Sequence, residues 1–158
     1  MGTLNTANIN ITGNFKGNQP RFKAHLDANR TTAGTGYVKW NHSSGFNGNY
    51  FTDVKFNVGG GYNSSDTTFT VPETGLYFWH HIMSTNGSAP AQAYTSCEYF
   101  IDGTRYFTGW QNKTAGYQIW ESTSIIPLTA GNVVEFGGEW QNAVTMQPRS
   151  FIAMYLLG

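Results

Sequence analysis

Cysteine and charge are what this chain has least of. Cys97 is the only cysteine in 158 residues, so no intrachain disulfide can form. That excludes the stapled framework of small secreted domains and leads us to expect assembly in a reducing compartment. Charged residues make up 11% of the chain, nine cationic against nine anionic, for a formal net charge of zero. Such a balance offers no basic stripe to a phosphate backbone and no polybasic segment to an anionic bilayer. No nucleic-acid partner and no membrane partner are therefore expected. No apolar run approaches the ~18 residues that cross a bilayer. The opening residues, Met1 to Asn5, show neither a basic segment nor an apolar stretch, so no secretory signal is read there.

Residues that favour extended structure fill the chain instead. Aromatics reach 16%, as five Trp, nine Tyr and eleven Phe, and Gly, Asn, Thr and Ser supply much of the remainder. Few Lys, Glu or Leu and many Thr, Tyr and Phe disfavour helices. Alternating apolar positions and the turn residues between them predict ten strands. The first alternates Phe22, Ala24 and Leu26 with polar residues. The others are Tyr37 to Trp40, Tyr50 to Val58, Thr67 to Val71, Leu76 to Met83, Ser96 to Ile101, Arg105 to Trp110, Tyr117 to Leu128, Val133 to Trp140 and Phe151 to Leu157. Asp102-Gly103 is a two-residue hairpin signal, and Gly59-Gly60-Gly61 reads as a strand reversal. Short strands, glycine-rich turns and no alternation with helices place the chain in the all-β class, as a sandwich or jelly roll. So many rings exceed the usual needs of one core this size, and a subunit interface or binding face would house the surplus. With little charge to repel, self-association is favoured.

Residues 1–19 read differently. Leu4, Ile9 and Ile11 alternate with polar residues, and Phe15 follows, too few apolar groups to form a core. Gly13, Asn14, Gly17, Asn18 and Pro20 break the segment. It is read as an extended N-terminal arm and linker, and residues 20–158 as one domain. Such an arm becomes ordered by adding a strand to a partner, which makes Leu4, Ile9, Ile11 and Phe15 its candidate docking residues.

The densest pattern is Phe69-Thr-Val-Pro72-Glu-Thr-Gly75-Leu-Tyr77-Phe-Trp79-His-His81. Pro72 cannot donate to a ladder and marks a strand end. Gly75 supplies the free backbone angle of a tight reversal, after which an aromatic-rich strand alternates its two faces. Phe69, Pro72, Gly75, Tyr77 and Trp79 at this spacing resemble the central signature of the C1q and tumour-necrosis-factor-like (TNF-like) jelly rolls. Pro20 to His25, Val54 to Asn57 with Gly61 to Asn63, Thr123 to Asn132 and Ser150 to Leu157 resemble further segments of that family in the right order. The resemblance spans residues 20–158. It implies a ten-stranded jelly roll that forms a homotrimer around a threefold axis and binds or builds rather than catalyses. No collagen-like Gly-x-x repeat precedes the domain, and Val71 stands where the family often has cysteine, so secretion and disulfide chemistry do not carry over. A short polar arm leading directly into a jelly roll also resembles structural proteins of tailed bacteriophages, among them head fibres, capsid decoration proteins and tail-fibre tips.

Catalytic chemistry is not legible. His80 and His81 point to opposite faces of one strand and cannot share a metal from it. His81 shares a face with Tyr77 and Trp79 and reads as a histidine at the core edge. No Gly-x-Ser-x-Gly, His-Glu-x-x-His or phosphate loop occurs. Asp27, Asp53, Asp66, Glu73 and Asp102 fall near loops, where some C1q-like domains bind calcium, but their spacing matches no dedicated ligand set. No metal and no cofactor are expected. Trp110, Tyr117, Trp120 and Trp140, with Tyr155 in the closing strand, are candidates for a trimer interface or a ligand face. A sugar-stacking platform and a filled core and interface are the two readings of the tryptophans.

The expectation is a non-enzymatic virion structural protein, a trimeric capsid decoration or head-fibre type protein. Its arm docks on a capsid or tail protein, and its jelly roll is displayed on the virion surface after assembly in the host cytoplasm. Two alternatives remain: a tail-fibre tip whose loops Asn41 to Asn49 and Asn86 to Ala93 contact a host-surface glycan or protein, and a cellular C1q-like recognition protein.

Overall fold

A computed structural model describes residues 19–31, 36–39, 51–92, 95–107, 109, 111 and 113–157. The arm residues Leu4, Ile9, Ile11 and Phe15, together with Trp40, Trp110 and the loop Asn41 to Asn49, lie outside the described residues. The described residues form thirteen extended segments and no helix. These are β1 (Arg21–His25), β2 (Arg30–Thr31), β3 (Gly36–Lys39), β4 (Asp53–Val58), β5 (Tyr62–Asn63), β6 (Thr68–Thr70), β7 (Gly75–Ser84), β8 (Thr95–Ile101), β9 (Thr104–Phe107), β10 (Ile119–Leu128), β11 (Val133–Trp140), β12 (Thr145–Met146) and β13 (Phe151–Leu156). Each of the ten expected strands has a counterpart. The added β2, β5 and β12 are two-residue pieces, too short for an alternation to announce them.

Two antiparallel sheets face one another. The front sheet runs β10-β7-β13-β1-β4, and the back sheet β5-β6-β11-β8-β9 with β3 also paired to β11. Sequence neighbours repeatedly lie in opposite sheets, and this corrects the reading of the turns. Pro72 to Gly75 is not a hairpin, because β6 belongs to the back sheet and β7 to the front. Gly75 has no positive φ; it is extended and pairs with Leu128. Gly59-Gly60-Gly61 likewise conducts the chain from β4 in front to β5 behind, with φ of 83° and 70° at Gly59 and Gly60. Only Asp102-Gly103 closes the expected hairpin, between β8 and β9, with φ of 49° and 81° as its turn type demands. Asp102 also accepts hydrogen bonds from the Val133 amide (2.8 Å) and from Asn132 Nδ2 (2.6 Å), tying this hairpin to the turn that opens β11.

The core lies between the sheets. Tyr77, Trp79, His81 and Met83 from β7 meet Trp120, Val134, Phe136 and Trp140, all fully buried. Phe22 stacks on Tyr62 with ring centroids 4.2 Å apart and approaches Phe69 at 5.0 Å and Phe136 at 5.7 Å. Phe69 meets Tyr77 edge-on at 5.9 Å. Each ring so buried contributes roughly 1.5–3 kcal/mol. Two buried tyrosines find partners for their hydroxyls: Tyr62 donates to the Phe51 carbonyl and Tyr77 to the Glu73 carbonyl, both at 2.7 Å. The second bond pins the crossover at Pro72. The signature residues Phe69, Tyr77 and Trp79 are therefore a core motif, and the spacing between them is that of a sheet-to-sheet passage.

Gly138 shows how closely the layers fit. A Cβ there would lie 2.6 Å from the Ser96 carbonyl oxygen and 2.9 Å from the Trp140 ring. The Trp140 indole folds over its own strand and needs that bare position. Gly138→Ala is expected to lower the free energy of unfolding by about 1–3 kcal/mol, read by chemical denaturation. An unchanged midpoint would show that the strand yields freely there.

Candidate functional site

The outward side of the front sheet sets this molecule apart from an ordinary sandwich. In β7 the residues between the core positions are Phe78, His80 and Ile82, so the strand is apolar on one face and largely apolar on the other. Register places Tyr155 opposite Phe78 and Phe151 opposite Ile82 on β13, and Ile125 opposite Phe78 on β10. On the far side of β13, Lys23 of β1 lies opposite Ala153 and Phe56 of β4 lies opposite Lys23. The rings form a track: Phe56 to Tyr155 at 6.0 Å, Tyr155 to Phe78 at 6.3 Å, Phe78 to His80 at 6.0 Å, His80 to Phe151 at 4.9 Å and Phe151 to His25 at 5.4 Å. Ile125 and Leu76 flank the track, 59% and 47% exposed. Burial among these rings raises the Tyr155 hydroxyl above its ordinary value and lowers the His25 imidazole below its own.

The polar groups on this face are few and mostly engaged. His80 Nε2 and Glu121 Oε1 are 2.9 Å apart. Lys23 Nζ lies 3.9 Å over the centre of the Phe151 ring. Lys55 pairs with Asp53 at 2.6 Å at the β4 edge. At the other edge, Pro127 in β10 has no amide to offer, which suits an edge strand. The result is a ringed surface bordered by a few charges, the anatomy of a contact patch.

The sequence-derived candidates scatter across the molecule. Tyr155 belongs to the track. Trp120 and Trp140 do not form an outward ligand or interface face: both are fully buried and meet edge-to-face at 6.5 Å inside the core. Strand parity is the reason, since each shares the inward face with a residue such as Ile126 or Phe136. Tyr117 stands apart, 69% exposed at the end of the sandwich opposite Pro20. Trp110 lies outside the described residues. Phe56, Phe78, His80, Ile125 and Phe151 were missed by sequence reasoning. The signal available was a strand, Gly75–Ser84, with large apolar residues at both odd and even positions, which implies a cover on each face.

The loop carboxylates have tasks within the subunit. Asp27 holds Arg30 through two oxygens at 3.1 and 2.6 Å, and Asp66 caps Thr68. Among the described residues no group of three or more His, Cys, Asp or Glu is arranged to hold a metal ion. A buried carboxylate that the sequence did not announce is Glu98, fully buried on the outer side of the back sheet. It is held by Ser96 Oγ at 2.5 Å and by a forked contact from Arg105, which also reaches Glu139 at 2.6 Å. These carboxylates hold the guanidinium firmly protonated. Cys97 faces the core, where burial pushes its thiol far above the ordinary range, so it is not a reactive nucleophile.

No family model matches the chain, and no curated protein matches it in sequence. Solved structures do match in shape. The globular domain of zebrafish complement 1qA protein superposes with a TM-score of 0.57 at 12% identity, over 89% of this chain and 98% of that one. Murine APRIL matches with a TM-score of 0.58 at 13% identity, over 88% and 99%. Eiger TNF from S. frugiperda matches with a TM-score of 0.54 at 17% identity, over 89% and 94%. The chain thus has the C1q/TNF-type jelly-roll fold across nearly its whole length.

His81 offers a direct test of the interior. It lies within the core, not at its edge, against Trp79 at 5.6 Å and Phe136 at 6.4 Å. Burial, assisted by neighbouring His80, pushes its imidazole down to about 3 from 6.5. As pH falls, the unfolded chain takes up this proton first. The share of stability from this group is therefore complete above 6.5 and is lost progressively as pH falls from 6.5 towards about 3. His81→Phe is expected to remove that share of the acid slope in denaturation measured from pH 7 to pH 4. Parallel slopes for the two proteins would contradict a buried neutral His81.

Proposed function

We propose that this chain is a non-enzymatic, self-associating structural protein, a homotrimer whose subunits close on one another through the outward side of the front sheet. The aromatic track from Phe56 to His25 carries this reading. A five-stranded sheet with rings on both faces is half-finished as a monomer, and a second and third copy supply the missing cover at little electrostatic penalty. The face is offset toward β13 and β1 while the β10 edge carries Ile119 and Ile125. A heterologous edge-to-face contact, closed into a ring, fits that asymmetry.

Within that reading, we place the protein on a bacteriophage particle as a capsid decoration or head-fibre type component. The support is the division of the chain: an apolar-poor arm with Leu4, Ile9, Ile11 and Phe15, then a domain whose first strand starts at the end of the sandwich where the closing strand β13 finishes. There Leu156 donates its amide to the Pro20 carbonyl at 2.9 Å. On this reading the arm joins the domain at that base, next to Pro20, and the opposite end of the domain would face away from the particle.

The expected solution mass at micromolar concentration is that of three chains. Phe78→Asp or Tyr155→Arg, each in the middle of the track, is expected to yield folded monomers, recognised by an unchanged β-sheet spectrum and a threefold lower mass. A trimer that tolerates both changes would remove the track from the interface. Deleting residues 1–18 is expected to leave the trimer intact and abolish binding to particles; loss of trimerisation on that deletion would reassign the arm to the assembly itself.

A further inference from the structure

We propose that the end of the domain opposite Pro20 carries a binding site for a carboxylated sugar, built on Tyr117 and Arg149. Tyr117 is the most exposed large hydrophobic side chain among the described residues, at 69%, yet the residues on either side of it are hydrogen-bonded to the domain. The preceding Gly116 donates its amide to the Ala89 carbonyl at 2.8 Å. The following Gln118 is buried, and its Nε2 donates to the Pro90 carbonyl at 2.6 Å and the Thr114 carbonyl at 2.8 Å. Its amide donates to Thr85 Oγ1 at 3.1 Å, and its carbonyl accepts from the Thr85 amide at 2.9 Å. One edge of the ring rests over Gly87, where a Cβ would come within 3.1 Å of the ring. A side chain at Gly87 would lift the ring; its absence seats it.

A flat ring held rigid in water is suited to stacking against the apolar C–H face of a sugar, because neither partner then loses much freedom on binding. Arg149 supplies the second half. Its guanidinium carbon lies 5.7 Å from the Tyr117 ring centre. Unlike Arg30, Lys55 and Arg105, it has no ion-pair partner among the described residues. A guanidinium accepts a carboxylate through two parallel hydrogen bonds. Ser88 and Thr114 on the rim are exposed and offer neutral polar groups for sugar hydroxyls. The site lies at the far end of β7 from the base, roughly 30 Å away along ten strand residues. It does not depend on the chain belonging to a particle.

The test uses the full chain with oligogalacturonate and sialyllactose, each beside its methyl ester, in isothermal titration. The carboxylated sugars are expected to bind at least about tenfold tighter than the esters. Tyr117→Ala is expected to weaken binding at least about tenfold and Arg149→Gln to erase the preference for the free acid. Solution mass and thermal midpoint should be unchanged in both variants. No binding to either acid at millimolar concentration, equal binding of acid and ester, or binding indifferent to Tyr117→Ala would overturn the proposal. A changed subunit count in Tyr117→Ala would overturn it too, by making that ring a subunit contact; failure of the trimer reading is seen separately in the mass of the unaltered chain.

Discussion

A sheet buries one face against a partner layer and leaves the other to water, and the front sheet here departs from that rule. Its inward face carries Phe22, Tyr77, Trp79, Met154 and Trp120, which the back sheet covers. Its outward face carries Phe56, Phe78, Phe151 and Tyr155, and among the described strands no second layer lies over them. At roughly 25 cal/mol per Å2 even a partial cover of such rings is worth several kcal/mol. The remaining features of the chain are consistent with this constraint. Charges are sparse, so copies approach without repulsion. Those charges present on the face are paired or lie over a ring, as with His80 and Glu121 or Lys23 and Phe151, so bringing copies together strands few of them.

The two ends of the sandwich are built by different devices. At the base the chain passes between sheets on glycines with positive φ, such as Gly59 and Gly131, and the passages are fastened by main-chain bonds: Val71 to Asn132 at 2.9 Å and Gly131 to Val71 at 2.8 Å. At the opposite end buried glutamines do the fastening. Gln92 Oε1 accepts from the amides of Gln141 and Asn142, and its Nε2 donates to the Asn142 carbonyl, while Gln118 holds Pro90 and Thr114. Gln92 has donor and acceptor both occupied and Gln118 has its side-chain donors occupied, and such buried amides tie a loop down where another chain would use a disulfide. With one cysteine, the chain relies on this substitute. It also explains how Tyr117 can be exposed without being loose.

Alternation made most strands legible, because the period of two survives wherever one face is inward. It made the signature legible as well: Phe69, Tyr77 and Trp79 converge in the core as their spacing suggests. What alternation does not carry is which sheet a strand joins. A proline and a glycine between two strands look alike whether the chain folds back on itself or crosses to the facing layer, and Pro72 to Gly75 does the latter. Nor does it tell core from interface when both faces are aromatic. Trp120 and Trp140 were grouped with Tyr117 and Tyr155 by residue type, yet parity sends the tryptophans inward and leaves the tyrosines out. Glu98 escaped notice because its cationic partner Arg105, which also reaches Glu139, is brought to it by strand pairing and not by sequence spacing.

The absence of net charge bears on how such a surface stays specific. A neutral protein with a half-buried ring track on one face has nothing long-ranged to reject a wrong contact, so selectivity has to be short-ranged, in shape and in the few groups that penalise misplacement. His80 and Glu121 lie within the sheet face, and Asp53 with Lys55 marks its β4 margin. A partner seated out of register would separate one of these pairs from water without a replacement bond, at a penalty of the order of 1–3 kcal/mol for each group left unmet. Edge strands are protected in the same spirit. Pro127 removes a donor from the β10 edge, and the charged Asp53 and Lys55 occupy β4, so open-ended strand addition is opposed at both margins of the sheet. What is left open is the face itself, and a face that is offset to one side of a twisted sheet favours a closed ring over a growing stack.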